Sequence, residues 1–184
     1  MVLKTLKLKY ATGWVRHLGS QVPGLLWRSI PCTGGSRRND MNLARHTEKF
    51  QKNLRAKRAY ARTLWKNFER TAELALQFGW GIAIEWPNAC SYWKWPAVTK
   101  FLERHGLRKA YCRGCAVGLK DDMGVPIAKP WRIETNVPEL HRTLDACRCP
   151  GKAAHPVHAE CQGKYVPLSE GYTPMLARKV HKAC

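Results

Sequence analysis

The feature that most constrains the fold is a long stretch, residues 43–78, that contains neither proline nor glycine. Apolar residues recur within it at intervals of three and four, which is the spacing of one face of an α-helix. They are Leu43, Phe50, Leu54, Ala61, Leu64, Trp65, Phe68, Ala72, Ala75 and Leu76. The stretch therefore predicts a long amphipathic helix, either continuous or broken once.

Short apolar runs flank this helix on both sides. Residues 25–30 (LLWRSI) follow Pro23-Gly24, and residues 82–86 (IAIEW) are closed by Pro87. Both runs predict buried strands. Because a helix connects them, we expect the two strands to be parallel neighbours in one sheet.

The rest of the chain predicts further short elements. Two strands, at residues 111–119 and 130–135, are joined by the turn Asp121–Gly124, which predicts an antiparallel hairpin. Shorter segments predict a weak edge strand at residues 5–10 and helices at 96–105, 136–144 and 175–182. We therefore expect an α/β fold with a partial Rossmann-like sheet, mostly parallel, with one antiparallel strand from the C-terminal hairpin.

The charge of the chain indicates a polyanionic partner. Lys and Arg total 32 against 13 Asp and Glu, a formal net charge of +19. Nucleic acid is the first candidate and an anionic membrane surface the second, while a merely solvated basic face is the alternative. The expected nucleic-acid contacts lie on the long helix and the loop before it: Arg37, Arg38, Arg45, Lys49, Lys52, Arg55, Arg58 and Arg62.

Eight cysteines raise the question of disulfides or metal ligands. The first ten residues (MVLKTLKLKY) lack the apolar core of a secretory signal, so an intracellular location and reduced thiols are expected. Residues 147–161 bring three Cys and two His close together, and Cys112 and Cys115 form a C-x2-C pair.

We expect a zinc site in this part of the chain. The preferred ligands are Cys115, Cys149, His158 and Cys161, with Cys112 and His155 as alternates. A buried thiol cluster is one alternative, and a Cys149–Cys161 disulfide in an oxidising compartment is another.

Aromatic residues crowd the segment that follows the second predicted strand. They are Trp80, Trp86, Tyr92, Trp93 and Trp95. Such side chains either stack on unpaired bases or belong to the core that closes the end of the sheet.

Two of the predicted loops resemble a known family. The segment Ser29–Ser36 (SIPCTGGS) resembles the Pro-Cys motif of DNA (cytosine-5) methyltransferases, and Glu85-Trp86-Pro87 occupies the place of that family's Glu-Asn-Val. The resemblance implies that Cys32 is the nucleophile, assisted by the positive charge of Arg37 and Arg38, and that Glu85 contacts the flipped base.

The same resemblance implies a cofactor and two further site positions. S-adenosylmethionine would be the cofactor, with Pro31 and Ser36 near it, and Arg132 would match one arginine of the family's Gln-x-Arg-x-Arg signature. The stretch from residue 25 to 182 also resembles methyltransferase-like segments in the polyproteins of mobile elements such as retrotransposons.

The sequence departs from the family at the cofactor loop. Only 24 residues precede Leu25, and none of them matches the family's glycine-rich loop. We therefore expect a basic segment at residues 1–24, a methyltransferase-like half-domain at 25–146, and a Cys/His-rich loop with a final helix at 147–184.

The expected function follows from these departures: a degenerate or partial methyltransferase-like domain that binds nucleic acid without independent catalysis, in the nucleus or nucleoid. One alternative is an active cytosine methyltransferase whose cofactor half comes from a partner chain that completes the sheet. The other is a zinc-stabilised basic interaction module of a mobile element.

Overall fold

A computed structural model describes residues 24–37, 39, 47–161, 163 and 165–184. The chain divides into two compact units, Met1–Leu107 and Arg108–Cys184. This division lies inside the segment 25–146 that the sequence predicts as one half-domain. The predicted edge strand at residues 5–10, and the predicted site residues Arg38 and Arg45, lie outside the described residues.

The described part of the chain is mixed α/β, as expected. The elements of the first unit are β1 (Leu25–Arg28), α1 (Glu48–Gln77), β2 (Gly81–Pro87) and α2 (Pro96–Arg104). Those of the second are β3 (Arg108–Arg113), β4 (Pro130–Thr135), α3 (Pro138–Asp145), α4 (Tyr165–Leu168) and α5 (Pro174–Lys182). Among these helices, none combines the length and the apolar character that a membrane crossing requires. The strands β1 and β2 form one parallel pair and the C-terminal strands pair antiparallel, so the expectation of a mostly parallel sheet is not confirmed.

The first unit contains the predicted crossover. β1 and β2 pair in parallel, with Leu25 opposite Gly81 and Arg28 opposite Ile84, as expected for strands joined by a helix. The connecting helix α1 is continuous through its 30 residues. Its first turn is capped by the Thr47 hydroxyl, which accepts a hydrogen bond from the Phe50 N–H at 3.4 Å.

Aromatic side chains fill the core between α1 and the two strands. The ring of Trp65 on α1 lies 5.3 Å from Phe68, 5.7 Å from Trp86 and 5.6 Å from Phe101, measured between centroids. Four members of the predicted aromatic group are buried: Trp80, Trp86, Tyr92 and Trp93. Those four belong to the core and do not form a base-stacking surface.

The second unit contains the predicted hairpin. β3 and β4 pair antiparallel, from Arg108 opposite Thr135 to Arg113 opposite Pro130. One side of the unit is closed by α3 and α5, whose buried residues are Leu140, Leu144, Leu176 and Val180.

The boundaries predicted for the third strand are wrong at both ends. β3 begins at Arg108 and ends at Arg113, because residues 114–117 form a 3-10 turn instead of continuing the strand. Gly114 permits this turn, since a Cβ there would lie 2.7 Å from Leu119 Cδ2 and 2.9 Å from the Ile127 carbonyl oxygen. Gly118 then takes a left-handed conformation with φ of 81°.

Candidate metal centre

Four metal-ligating side chains converge in the second unit. They are Cys115, Cys149, His155 and His158, and one ligand atom from each lies within 4.8 Å of the other three. Cys115 is buried and the other three are half-buried. This Cys2His2 cluster can hold a metal ion.

The 3-10 turn after β3 positions the first ligand. Cys115 is the second residue of that turn, so its direction no longer follows the alternation of the strand. Backbone hydrogen bonds fix the turn: the Gly114 N–H donates to the Lys129 carbonyl and the Leu119 N–H to the Gly114 carbonyl, each at 2.9 Å. The backbone is therefore fixed by hydrogen bonds both before and after Cys115.

The other three ligands lie on one loop, which is tied down at both ends. At its start, the Arg113 N–H donates to the Cys147 carbonyl at 2.9 Å. Near its end, the Ala159 N–H donates to the Pro126 carbonyl at 2.9 Å, within a parallel bridge between Ile127 and Ala159. The loop thus presents its ligands from a fixed base.

The two distances from Cys149 Sγ to the histidine nitrogens match tetrahedral coordination. Cys149 Sγ lies 3.7 Å from His155 Nδ1 and 3.5 Å from His158 Nε2. Zn–S and Zn–N bonds of ~2.3 and ~2.05 Å place the S and N ligands of a regular tetrahedron about 3.6 Å apart. The two imidazole rings are nearly perpendicular, at 89°, so each can direct one nitrogen to a common point.

The two thiols of the cluster influence each other. Burial, together with the neighbouring Cys149 thiol, raises the pKa of the Cys115 thiol to about 11. A divalent cation between the two sulfurs favours the thiolate, which is the form that binds metals.

The cluster contains three of the four ligands preferred from the sequence. Its fourth member is His155, which was expected only as an alternate, and Cys161 lies outside the group. The Cys161 thiol instead donates to Ser169 Oγ at 3.1 Å. Sequence spacing cannot distinguish His155 from Cys161 as the fourth ligand, because each is three residues from His158 on an irregular loop.

The other alternate, Cys112, belongs to a different pair. Cys112 and Cys147 are both buried, and their thiols interact, raising the pKa of Cys112 and lowering that of Cys147 to about 7. All eight cysteines lie within the described part, and no disulfide joins any two of them.

The residues implied by the methyltransferase resemblance lie at the ends of β1 and β2. Cys32 starts the 3-10 turn Thr33–Gly35 and packs against the core of the first unit. Glu85 is 5% exposed, and its Oε2 accepts a hydrogen bond from Ser29 Oγ at 2.8 Å.

The two positions assigned to the cofactor differ in environment, since Pro31 is exposed and Ser36 half-buried. Arg132 lies in the second unit on β4, where its Nε donates to Glu134 Oε1 at 2.7 Å. Its guanidinium thus belongs to an ion pair within that strand.

The described basic residues lie mostly on the surface. Arg37 and, on α1, Lys49, Lys52, Arg55 and Arg62 are exposed. Arg58 differs, because it is half-buried and its Nε donates to the Gly34 carbonyl at 2.9 Å. It therefore anchors the loop after β1 to α1.

The chain was compared with protein-family models, curated proteins and solved structures, and none of the three comparisons gave a match.

Proposed function

We propose that this protein is a basic nucleic-acid-binding module whose C-terminal unit is stabilised by a zinc ion. The observation that carries the proposal is the charge of α1. From Lys49 to Phe68 the helix contains no acidic residue, while its cations are Lys49, Lys52, Arg55, Lys57, Arg58, Arg62 and Lys66. All of these except Arg58 are exposed.

Several of the exposed cations share one stripe of the helix. Lys52, Arg55, Arg62, Lys66 and Arg70 follow each other at helical spacings and are all exposed. At 1.5 Å per residue this stripe is about 27 Å long, which spans several backbone phosphates at ~3.4 Å per nucleotide. A rigid row of cations of this length suits a phosphate backbone better than a single small anion.

An arginine–tryptophan contact lies at the middle of this stripe. The Arg62 guanidinium carbon is 5.1 Å from the centroid of the Trp95 ring, and Trp95 is half-buried. Stacking on the ring restrains the guanidinium while its N–H groups stay available to an acceptor.

Zinc is the metal that best fits the Cys2His2 cluster. Two sulfur and two imidazole ligands are the donor set of structural zinc sites. Because all four coordination positions come from the protein, the ion would have no open position for a substrate. Its role would be to hold the loop of residues 149–158 against the turn that carries Cys115.

We also propose that this protein descends from a methyltransferase-like domain. A parallel strand pair joined by a helix, and an antiparallel hairpin after it, are the pairings expected for the second half of such a sheet. A remnant of that kind would bind nucleic acid without methylating it, in the nucleus or nucleoid. A Rossmann-like sheet and S-adenosylmethionine binding remain predictions.

Active cytosine methylation is the second candidate function. It is favoured by one observation: the hydrogen bond from Ser29 to Glu85 lies at the ends of β1 and β2, and Cys32 follows three residues after Ser29. The candidate nucleophile and the candidate base-binding carboxylate thus follow the same ends of adjacent strands.

The nucleic-acid proposal is tested by the affinity for labelled single- and double-stranded oligonucleotides, measured by fluorescence anisotropy. The variant K52Q/R55Q removes two cations of the stripe, and K100Q/K120Q removes two exposed lysines elsewhere as the matched control. We expect K52Q/R55Q to weaken binding and to reduce the salt dependence by about 1 to 2 units of slope. Equal affinities for the two variants would contradict the assignment of α1 as the interface.

A further inference from the structure

Arg28 is a buried cation whose Nε atom has no hydrogen-bond partner among the described residues. It is the last residue of β1 and is only 8% exposed. Its Nε is buried, and the described residues offer that atom no hydrogen-bond acceptor. An unpaired charge in the interior is costly, and arginine does not escape the cost by losing its proton.

The strand geometry explains why no carboxylate of the sheet reaches Arg28. Leu26 and Ile30 belong to the core under α1, so by alternation Arg28 points to the same face. Ser29 points to the opposite face, where it meets Glu85. The nearest carboxylate of β2 is therefore on the other side of the strand pair.

The helix over this face offers no negative charge either, since α1 lacks acidic residues from Lys49 to Phe68. Burial lowers the pKa of Arg28, and the neighbouring Tyr60 on α1 opposes this effect. The Tyr60 side chain is 61% exposed. Lys57, one helical turn before Tyr60, is also exposed.

We propose that Arg28 is the floor of an oxyanion site that takes a phosphoryl group, entered past Tyr60 and Lys57. The planar guanidinium presents paired N–H donors that match two phosphoryl oxygens. Tyr60 and Lys57 would add a hydroxyl and a second positive charge at the mouth. At 3.6 residues per turn, these two residues lie on a different side of α1 from the stripe of Lys52, Arg55 and Arg62. The site is thus separate from the proposed nucleic-acid interface.

The test is the thermal unfolding of the full chain in inorganic phosphate, with chloride at equal ionic strength as the reference. Phosphate that binds only the native state raises the unfolding temperature by about 3–6 °C at ten times its dissociation constant. We expect this rise in the wild type and in K100M, which loses an exposed lysine of α2, outside the stripe. An unfolding temperature that depends on ionic strength alone would overturn the proposal.

The variant R28M separates an anion site from a structural arginine. Methionine fills the buried space without a charge, so R28M should fold at least as stably as the wild type in chloride, with phosphate affinity reduced tenfold or more. Should R28M fold poorly, R28K keeps the charge but loses the paired donors, and K57Q removes the second cation. Each should still weaken the phosphate response several-fold, and unchanged responses in both would overturn the proposal.

Oligonucleotide affinity of R28M identifies the source of the phosphoryl group. A loss of oligonucleotide affinity assigns the site to a backbone phosphate, whereas an unchanged affinity assigns it to a free phosphate or a small phosphorylated ligand. Both interpretations require that phosphate first raises the unfolding temperature of the wild type. If the α1 stripe is not the nucleic-acid interface, K52Q/R55Q will keep its oligonucleotide affinity. That result would not change the phosphate response assigned to Arg28.

Discussion

The Sγ atom of Cys149 lies 3.5 Å from Nε2 of His158, although nine residues separate them along the chain. This contact closes an irregular loop on itself, with a third ligand, Cys115, supplied by a turn that follows β3. If the four side chains share a zinc ion, as we propose, that ion would stabilise the loop.

The first prediction concerns the ligands of the metal centre. We expect the wild type to bind one zinc ion and C149S to bind none, because serine is a poor ligand in a sulfur- and nitrogen-based site. C161S is the matched control: its thiol lies in a hydrogen bond to Ser169, outside the cluster. Zinc content by elemental analysis, normalised to protein concentration, checks both.

Two results would contradict this ligand set. Loss of zinc in C161S but not in H155N would restore the ligands preferred from the sequence. Full zinc content in C149S would exclude the cluster as the binding site.

The second prediction concerns the turn that carries Cys115. G114A should destabilise the second unit by about 1–3 kcal/mol, because the new Cβ would lie 2.9 Å from the Ile127 carbonyl oxygen, a backbone atom that has little room to move. It should also lower zinc affinity by displacing Cys115. G171A, where a Cβ meets nothing within 4 Å, should leave both unchanged. Chemical denaturation and competition with a chelator measure the two effects.

The spacing of apolar residues and the positions of proline and glycine predicted the elements of the first unit well. The long helix, its crossover between two parallel strands and the helix that begins at Pro96 all follow from local signals that tertiary contacts reinforce. The second unit was less predictable, because Gly114 ends β3 through a steric requirement that appears only once Leu119 and Ile127 are in place. Strand alternation alone extends β3 too far.

The sequence predicted that a metal site is present, but it predicted only some of the ligands. The density of Cys and His indicates a metal site, but the choice of His155 over Cys161 depends on how the loop folds. The sequence does not predict a role for Arg28, because a single arginine in a short apolar run is typical of an ordinary strand. Its significance comes from its burial and from the absence of acidic residues between Lys49 and Phe68 of the helix above it.

The third prediction concerns pH and Glu134. Burial raises the pKa of this carboxyl above its usual 4.5, and the adjacent Arg132 offsets only part of the effect. Well below pH 4.5 the carboxyl is protonated in the native and unfolded states alike, so burying it does not depend on pH. As the pH rises from 4.5 through the native pKa, the unfolded chain releases its proton first and the wild type loses stability.

E134Q removes this titration. The stability of the wild type minus that of E134Q should therefore fall as the pH rises through this window, by at most about 1.4 kcal/mol per pH unit. Denaturant titrations of both proteins at closely spaced pH values measure this difference. A difference that grows with pH would show that the attraction to Arg132 outweighs the cost of burial.

The fourth prediction separates binding from catalysis at Cys32. C32S replaces the thiol by a hydroxyl in a residue packed against the core. A remnant that only binds should keep its oligonucleotide affinity within about twofold, because the affinity comes from phosphate contacts on α1. Transfer of a labelled methyl group from S-adenosylmethionine to cytosine by the wild type, and its loss in C32S, would instead establish the enzyme.

The measurement that tests the central claim most directly is the salt dependence of oligonucleotide binding by the wild-type, zinc-loaded protein. An interface that neutralises four to six phosphates along α1 predicts a plot of log affinity against log salt concentration with a slope of about −3 to −5. Restoring low salt should restore the binding. A slope near zero, or no detectable binding at low salt, would contradict the assignment of this protein as a nucleic-acid-binding module.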